Sequence, residues 1–151
     1  MAKKIKDIDK YSPNYSVKTS KELEQLCGAL IEQNKPLMFL HVHDISFSYD
    51  PDVPDEYVMW CEPKYPYLDA KINYGEAALE KWESLKDNPK ELKKYFDICI
   101  IHEMEHIHTD ELHDKAKQRY VNEQEIIGAV ETLVDTNAKI IYHLKQKAGL
   151  A

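Results

Sequence analysis

A near-continuous apolar stretch that leads directly into a cluster of ionisable residues constrains the fold of this chain more than any other feature. The stretch extends from Leu92 to Ile101, and the cluster is His102-Glu103-Met104-Glu105-His106. Ahead of the stretch, Asp87-Asn88-Pro89 supplies an N-cap and a proline at the first helical position. The pattern predicts a helix that is buried on most sides. Ionisable groups inside such a helix need a shared partner, because burying them without one is costly.

The two histidines of the cluster are four residues apart, which is about one helical turn. His102 and His106 therefore share one face of the helix and can bind one metal ion. Zinc suits them, because it accepts neutral imidazole nitrogens in a tetrahedral arrangement with a third protein ligand and one position left for water. Glu103 is rotated by about 100° from His102, so it is a poor ligand but a natural general base. Glu105, on the far side of the pair, is expected to be solvated or salt-bridged.

A third protein ligand has to come from elsewhere in the chain. We favour Glu131, which lies 25 residues after His106 at the edge of the apolar stripe of a predicted C-terminal helix. Asp135, about one turn later, is in place to orient a ligating histidine. Asp110, Glu111 and His113 compete with Glu131, because they follow the cluster directly. His113 would reach the same ion only if the chain bends sharply.

Two further helices are predicted after the buried one. Thr109-Asp110 has the composition of an N-cap, so the buried helix is expected to end close to His108, and a short helix is expected over residues 111–118. A long helix is then predicted to begin at Asn122 and to continue to about Leu144, because apolar residues recur there at helical spacing.

The N-terminal half is predicted to hold a helix and three strands. Residues 1–18 show no clear period and are expected to form an arm, while residues 19–151 form a single domain. Thr19 and Glu22 make a capping box for an amphipathic helix that ends near Asn34. Alternating apolar residues predict strands over Leu37 to Tyr49, Tyr57 to Cys61 and Tyr67 to Tyr74. A short helix follows Gly75, and the predicted fold class is therefore α+β.

Charge and cysteine content argue against several classes of protein. The 151 residues include 27 acidic and 20 basic side chains, for a formal net charge of -7, so nucleic acid and anionic membrane are poor default partners. We expect no transmembrane span and no secretory signal, because the basic N-terminus leads into polar residues. The three cysteines lack paired spacing and are interpreted as reduced thiols. These features predict a cytoplasmic protein and leave its oligomeric state open.

The cluster and its surroundings resemble a known group of enzymes. His102 to His106, followed by a glutamate in a later helix, resembles the gluzincin-like zincin metallopeptidases, and in particular the minimal ones of the ImmA/IrrE type. The segment from Tyr67 to about Leu144 also resembles short metallopeptidases of phage and prophage genomes. Two departures are Met104-Glu105 inside the motif and the absence of a Glu-Ala-Asn sequence at Glu131.

The resemblance implies a minimal zincin fold. In this fold a small mixed sheet of about three strands packs on an active-site helix and a long C-terminal helix. The resemblance also implies a peptide substrate that lies extended along an edge strand beside the cleft. The strand predicted from Tyr67 to Tyr74 is the candidate for that edge.

The function predicted from these features is that of a zinc-dependent metallopeptidase, in which activated water attacks an amide carbonyl and Glu103 transfers the proton. The donor that stabilises the oxyanion stays open among Tyr120, Tyr142, His41 and His43. The alternative is a non-catalytic zinc-binding or protein-interaction module on the same fold. Three protein ligands would indicate catalysis, and four would indicate a structural site. A narrow peptide or protein substrate is expected, because so small a chain has little room for specificity pockets.

Overall fold

The structure of the chain, a computed structural model, describes residues 10–64, 67–117 and 123–150. Within those ranges the elements follow one another as α1 (Val17–Asn34), β1 (Asp44–Tyr49), β2 (Met59–Pro63), β3 (Asp69–Tyr74), α2 (Glu76–Leu85), α3 (Pro89–Lys117) and α4 (Glu123–Lys147). The strands form one mixed sheet, and α4 packs against α3. The predicted α+β class is confirmed. No helix in the described ranges has both the length and the apolar character to cross a membrane.

β3 lies at the centre of the sheet, whose strand order is β1-β3-β2. β1 runs parallel to β3, and β2 runs antiparallel to it. The prediction that the strand ending at Tyr74 is an edge is therefore wrong. Its alternating polar residues suggest one solvent-exposed face, but Asn73 is buried and donates its side-chain amide to Glu62 at 3.1 Å. A hydrogen bond of this kind lets a polar residue lie inside the protein. With β3 at the centre of the sheet, β2 is an edge strand and contacts α3, the helix that carries the His102–His106 cluster.

α1 begins at Val17, inside the predicted N-terminal arm. Ser16 is its N-cap, because the serine hydroxyl accepts a hydrogen bond from the N–H of Thr19 at 3.1 Å. Thr19 is therefore not the cap. Its hydroxyl instead donates to Glu83 of α2 at 3.1 Å, which connects the two helices.

The chain keeps a helical path beyond α1 before β1 begins. The N–H of Leu40 donates to the carbonyl of Lys35 at 2.8 Å, and Phe39 has a φ of 58°. This arrangement is a Schellman motif, whose left-handed position is usually taken by glycine. The strand predicted from Leu37 therefore begins only at Asp44.

α3 is one helix of 29 residues, so the break predicted near His108 is wrong. The hydroxyl of Thr109 donates to the carbonyl oxygens of Glu105 and His106, both at 3.3 Å. Thr109 thus satisfies its side chain inside the helix and does not cap a new one. No glycine or proline follows Pro89 within α3, so nothing interrupts the helix there. The predicted start of the long helix at Asn122 lies outside the described residues.

The main hydrophobic core lies where the sheet, α1 and α3 meet. Its largest fully buried side chains include Leu23, Leu30, Ile31, Ile72, Tyr74, Phe96, Ile100, Ile101 and Met104. Tyr74 stacks on Phe47 with ring centroids 5.0 Å apart and donates its hydroxyl to Glu24 of α1 at 2.9 Å. Burial of each such side chain contributes about 1.5 to 3 kcal/mol. This packing fixes α3 against β2 and thereby sets the position of the motif.

A buried ion pair joins the N-terminal part of α3 to the last turns of α4. Lys145 Nζ donates to both carboxylate oxygens of Asp97, at 2.7 and 2.6 Å. Asn34 Nδ2 of α1 donates to the same carboxylate at 2.9 Å. The Lys145 and Asp97 side chains are 2% and 1% exposed, so each charge depends on the other.

Lys145→Met should lower the free energy of unfolding by about 3 to 5 kcal/mol, because it leaves the Asp97 carboxylate buried without its counter-ion. Chemical denaturation of both proteins measures this loss. The matched control is Lys64→Met, which removes the lysine of an exposed pair with Asp69 and should change stability by about 1 kcal/mol or less. Equal losses in the two variants would contradict a structural role for the buried pair.

Candidate metal centre

The cluster lies on a segment of α3 that helps to form a cleft with β2 and α4. His102 and His106 are one turn apart on α3, and Glu131 and Asp135 are one turn apart on α4. Residues at this spacing share a helix face. The contacts between the two pairs show that these faces meet.

The three side chains predicted as metal ligands come together in this cleft. The Nε2 atoms of His102 and His106 are 3.2 Å apart. Glu131 reaches both rings, with 3.4 Å from its Oε2 to His102 Nε2 and 3.3 Å from its Oε1 to His106 Nε2. One donor atom from each residue lies within 4.8 Å of the other two.

The separation of the two imidazole nitrogens suits tetrahedral coordination. Ligand atoms placed about 2.0 to 2.1 Å from zinc at tetrahedral angles are about 3.3 to 3.4 Å apart. Adjacent ligands of octahedral magnesium, at similar bond lengths, are about 2.8 to 3.0 Å apart. The nitrogens, 3.2 Å apart, are closer to the tetrahedral value, and Glu131 approaches the two rings with different carboxylate oxygens. Two imidazoles and one carboxylate are also a donor set that zinc accepts readily, so the residues fit a zinc ion.

The surroundings of both imidazoles favour metal binding. His102 Nδ1 donates to Asp135 Oδ1 at 2.9 Å, because a carboxylate only accepts, and this leaves Nε2 of the neutral ring with the lone pair. Burial, together with the neighbouring His102 and His113, holds the pKa of His106 below its ordinary value, although the charge of Glu131 opposes this. A neutral ring with a free nitrogen is the metal-binding state of histidine.

Glu103 is buried beside the three candidate ligands and also lines the cleft. Burial raises the pKa of its carboxyl to about 7, and the charge of Glu131 adds to the rise. His102 and a hydrogen bond from the backbone N–H of Cys61 both act to lower the pKa. The bond to Cys61 of β2 also orients the carboxyl. Glu103 thus has the location that a general base would need.

The cleft has a volume of about 460 Å³, which is within the range of small-ligand sites. Its walls include Tyr57, Met59, Trp60, Cys61 and Pro63 on the sheet side and Ile127 and Val130 on α4. Tyr57 and Trp60 contact each other edge to face, with ring centroids 5.4 Å apart, and each is 44% exposed. Sequence reasoning missed this wall. The available signal was two large aromatic residues, Tyr57 and Trp60, in the short strand predicted from Tyr57 to Cys61 between prolines.

The competing ligand candidates have other positions. Asp110 and His113 line the cleft, but neither belongs to the group of three donor atoms found within the described residues. The side chain of Glu111 lies outside the described residues. His113 is almost two turns beyond His106 on the same unbroken helix, which agrees with its exclusion from a shared ion.

None of the four candidate oxyanion donors is among the residues described in the cleft. His41 and His43 precede β1 and are not among the cleft residues. Tyr142 lines a different cavity. Tyr120 lies outside the described residues. Among the described residues, His113 is the cleft imidazole that is not part of the metal group.

Glu105 is buried, so the prediction that it is solvated or salt-bridged is wrong. Its carboxylate accepts a hydrogen bond from Asn137 Nδ2 of α4 at 3.0 Å. An amide donor on the facing helix satisfies the carboxylate without a counter-ion. The sequence of α3 gives no indication of this partner, because it comes from an element 32 residues away.

Comparison with known proteins adds no relatives. No protein-family model matches the chain, and neither a curated protein nor a solved structure is similar to it at a significant level. The resemblance to zincins therefore stays a prediction.

His106→Ala should weaken zinc binding by at least about 100-fold, because two ligands remain of the three. Isothermal titration of metal-free protein, with elemental analysis of protein purified without added metal, measures the change. The control is His143→Ala, since His143 is an exposed histidine of α4 that should not affect the titration. If His106→Ala bound zinc as tightly as the wild type, the ion would not be at this site.

Asp135→Asn should weaken zinc binding by about 10- to 100-fold while keeping one zinc per chain. The amide keeps the shape of the side chain but removes the charge that supports the Nδ1–H of His102. The same titration provides the measurement. An unchanged affinity would show that Asp135 does not orient His102.

Proposed function

We propose that this protein is a zinc-dependent metallopeptidase. The observation that carries the proposal is the convergence of His102, His106 and Glu131 in a cleft that also contains a buried glutamate. Three protein ligands leave one position of a tetrahedral ion open, as in catalytic zinc sites. Zinc, when bound, would polarise the substrate carbonyl and the attacking water.

Glu103 would act as the general base. Glu103 follows His102 in the sequence but is not one of the three candidate ligands. Its two carboxylate oxygens are therefore available for proton transfer and for the hydrogen bond from Cys61. It would take a proton from the attacking water and deliver that proton to the leaving amine. Asp135 would keep His102 in the ligating tautomer throughout.

The proposed substrate is a peptide or protein segment in an extended conformation. β2 pairs with β3 on one side, and no described strand pairs with its other side. An extended peptide could add to this edge by backbone hydrogen bonds. β2 also contributes residues to the cleft, so the added peptide would pass the metal ligands. The edge that we propose is therefore β2, in place of the strand favoured by the sequence.

We also propose that the protein works in the cytoplasm. Cys27, Cys61 and Cys99 are free thiols, as expected in a reducing compartment. Burial raises the pKa of all three thiols, which makes them unreactive. The cysteines therefore support the cytoplasm without taking part in the proposed reaction.

Glu103→Gln should lower hydrolysis by at least about 100-fold while zinc still binds, because the amide cannot accept the proton. The assay incubates zinc-loaded full-length protein with a proteome-derived peptide library and identifies new peptide ends by mass spectrometry. The matched control is Glu105→Gln, the same substitution at a buried glutamate of the same helix. Its hydrogen bond to Asn137 can be retained by the amide, and activity should be kept.

Each outcome of this assay has a separate meaning. Full activity in Glu103→Gln would remove the proposed base. No cleavage by the wild type, with zinc bound in a 1:1 ratio, would favour the non-catalytic zinc-binding module. Unselective cleavage of mixtures such as casein would contradict a narrow substrate range.

A further inference from the structure

A second cavity lies where the first turns of α3 meet the last turns of α4. Its volume is about 290 Å³, and it is lined by Lys90, Lys93, Lys94, Asp97, Tyr142 and Gln146. None of these residues lines the metal cleft. The cavity is therefore a separate feature that the proposed peptidase activity does not use.

Three lysines line this cavity, and none of them has an acidic partner among the described ion pairs. Among the described ion pairs, none includes Lys90, Lys93 or Lys94, whereas Lys64 and Lys86 each have a carboxylate within 4.0 Å. This local excess of positive charge is found in a chain whose formal net charge is -7. A lysine cluster of this kind attracts anions from solution.

The one acidic residue in the lining is already neutralised. Asp97 accepts two hydrogen bonds from Lys145 at 2.7 and 2.6 Å and one from Asn34 at 2.9 Å. Its charge is therefore balanced inside the protein, and the three lysines of the lining remain in excess. Glu91 is close enough to influence Tyr142, but it is not part of the lining.

Two neutral donors complete the lining. Neither the hydroxyl of Tyr142 nor the side-chain amide of Gln146 has a hydrogen-bond partner among the described residues. Burial raises the pKa of Tyr142, with Asp97 and Glu91 adding to the rise, so the phenol keeps its proton at neutral pH. The cavity thus combines three cationic donors with a hydroxyl and an amide, which is the donor chemistry used for phosphate groups.

We propose that this cavity binds the phosphoryl group of a small phosphate monoester. Its volume lies near the lower limit of small-ligand sites, about 300 Å³, so it can hold the phosphoryl group and a small part of the molecule that carries it. Lys90, Lys93 and Lys94 share one face of α3, because Lys93 and Lys94 are three and four residues after Lys90, so a dianionic oxyanion could accept hydrogen bonds from more than one of them. The site is independent of zinc binding and of the proposed peptidase activity.

The test is a titration of the ¹⁵N-labelled full-length protein with inorganic phosphate or ribose 5-phosphate at constant ionic strength, followed by two-dimensional NMR. We expect saturable shifts of the backbone amides of residues 90–97 and 142–146. Lys90→Gln combined with Lys94→Gln should weaken binding by about tenfold or more, because two charge-assisted hydrogen bonds are lost. The control combines Lys21→Gln with Lys139→Gln, which removes the same charge at exposed positions outside the lining.

Tyr142→Phe provides a milder variant if the lysine variant folds poorly, and it should weaken binding by a few-fold, about the value of one hydrogen bond. Tighter binding of ribose 5-phosphate than of inorganic phosphate supports a monoester ligand, and equal or weaker binding overturns that assignment. The site itself is overturned if no shift saturates, if the shifts centre on His102 and His106, or if the control variant loses as much affinity as the lysine variant.

Discussion

The packing of α4 against α3 is the interaction on which the rest of the structure depends. The helices are antiparallel, because successive residues of α3 contact progressively earlier residues of α4, in the pairs Asp97 with Lys145, His102 with Asp135 and His106 with Glu131. A shift of α4 by one turn, about 5.4 Å, would break all these contacts together. It would also leave Asp97 and Lys145 charged and unpaired inside the protein. The register that brings Glu131 to the histidines is thus fixed partly by an ion pair outside the cleft.

The features that the sequence predicted well are those whose geometry lies within one helix. The spacing of His102 and His106 is enough to place both rings on one face, and Asn88 was identifiable as the cap that accepts from the N–H of Glu91. Glu131 was a less direct inference. It depended on the apolar stripe of a second helix, and the stripe indicates which side of that helix faces the protein but not the register against its neighbour. The structure supplies that register.

The features that the sequence missed depend on contacts between distant elements. Threonine often caps a helix, yet the hydroxyl of Thr109 donates to carbonyl oxygens within α3. The local sequence does not distinguish a cap from a residue inside the helix, because the outcome depends on how the rest of the helix packs. Glu105 and Asn73 are polar residues that local periodicity assigns to solvent. Both are buried, because Asn137 and Glu62 supply their partners from other elements. Strand order has the same limit, since a central and an edge strand can share one alternating pattern.

The first turns of α3 carry charges that oppose the preference of an isolated helix. Helix dipoles favour acidic side chains near the N-terminus and basic ones near the C-terminus. α3 follows this preference at its end, with Lys115 and Lys117, but its first turns carry Lys90, Lys93 and Lys94 and a single acidic residue, Glu91. Local preferences are expected to be broken where function requires it. An oxyanion in the second cavity would neutralise lysines that the helix dipole leaves unfavourable. The candidate metal centre lies in the middle of α3, where the dipole has little effect, and it depends on the register that brings Glu131 of α4 to the two histidines. The two candidate sites therefore have different physical origins on one helix.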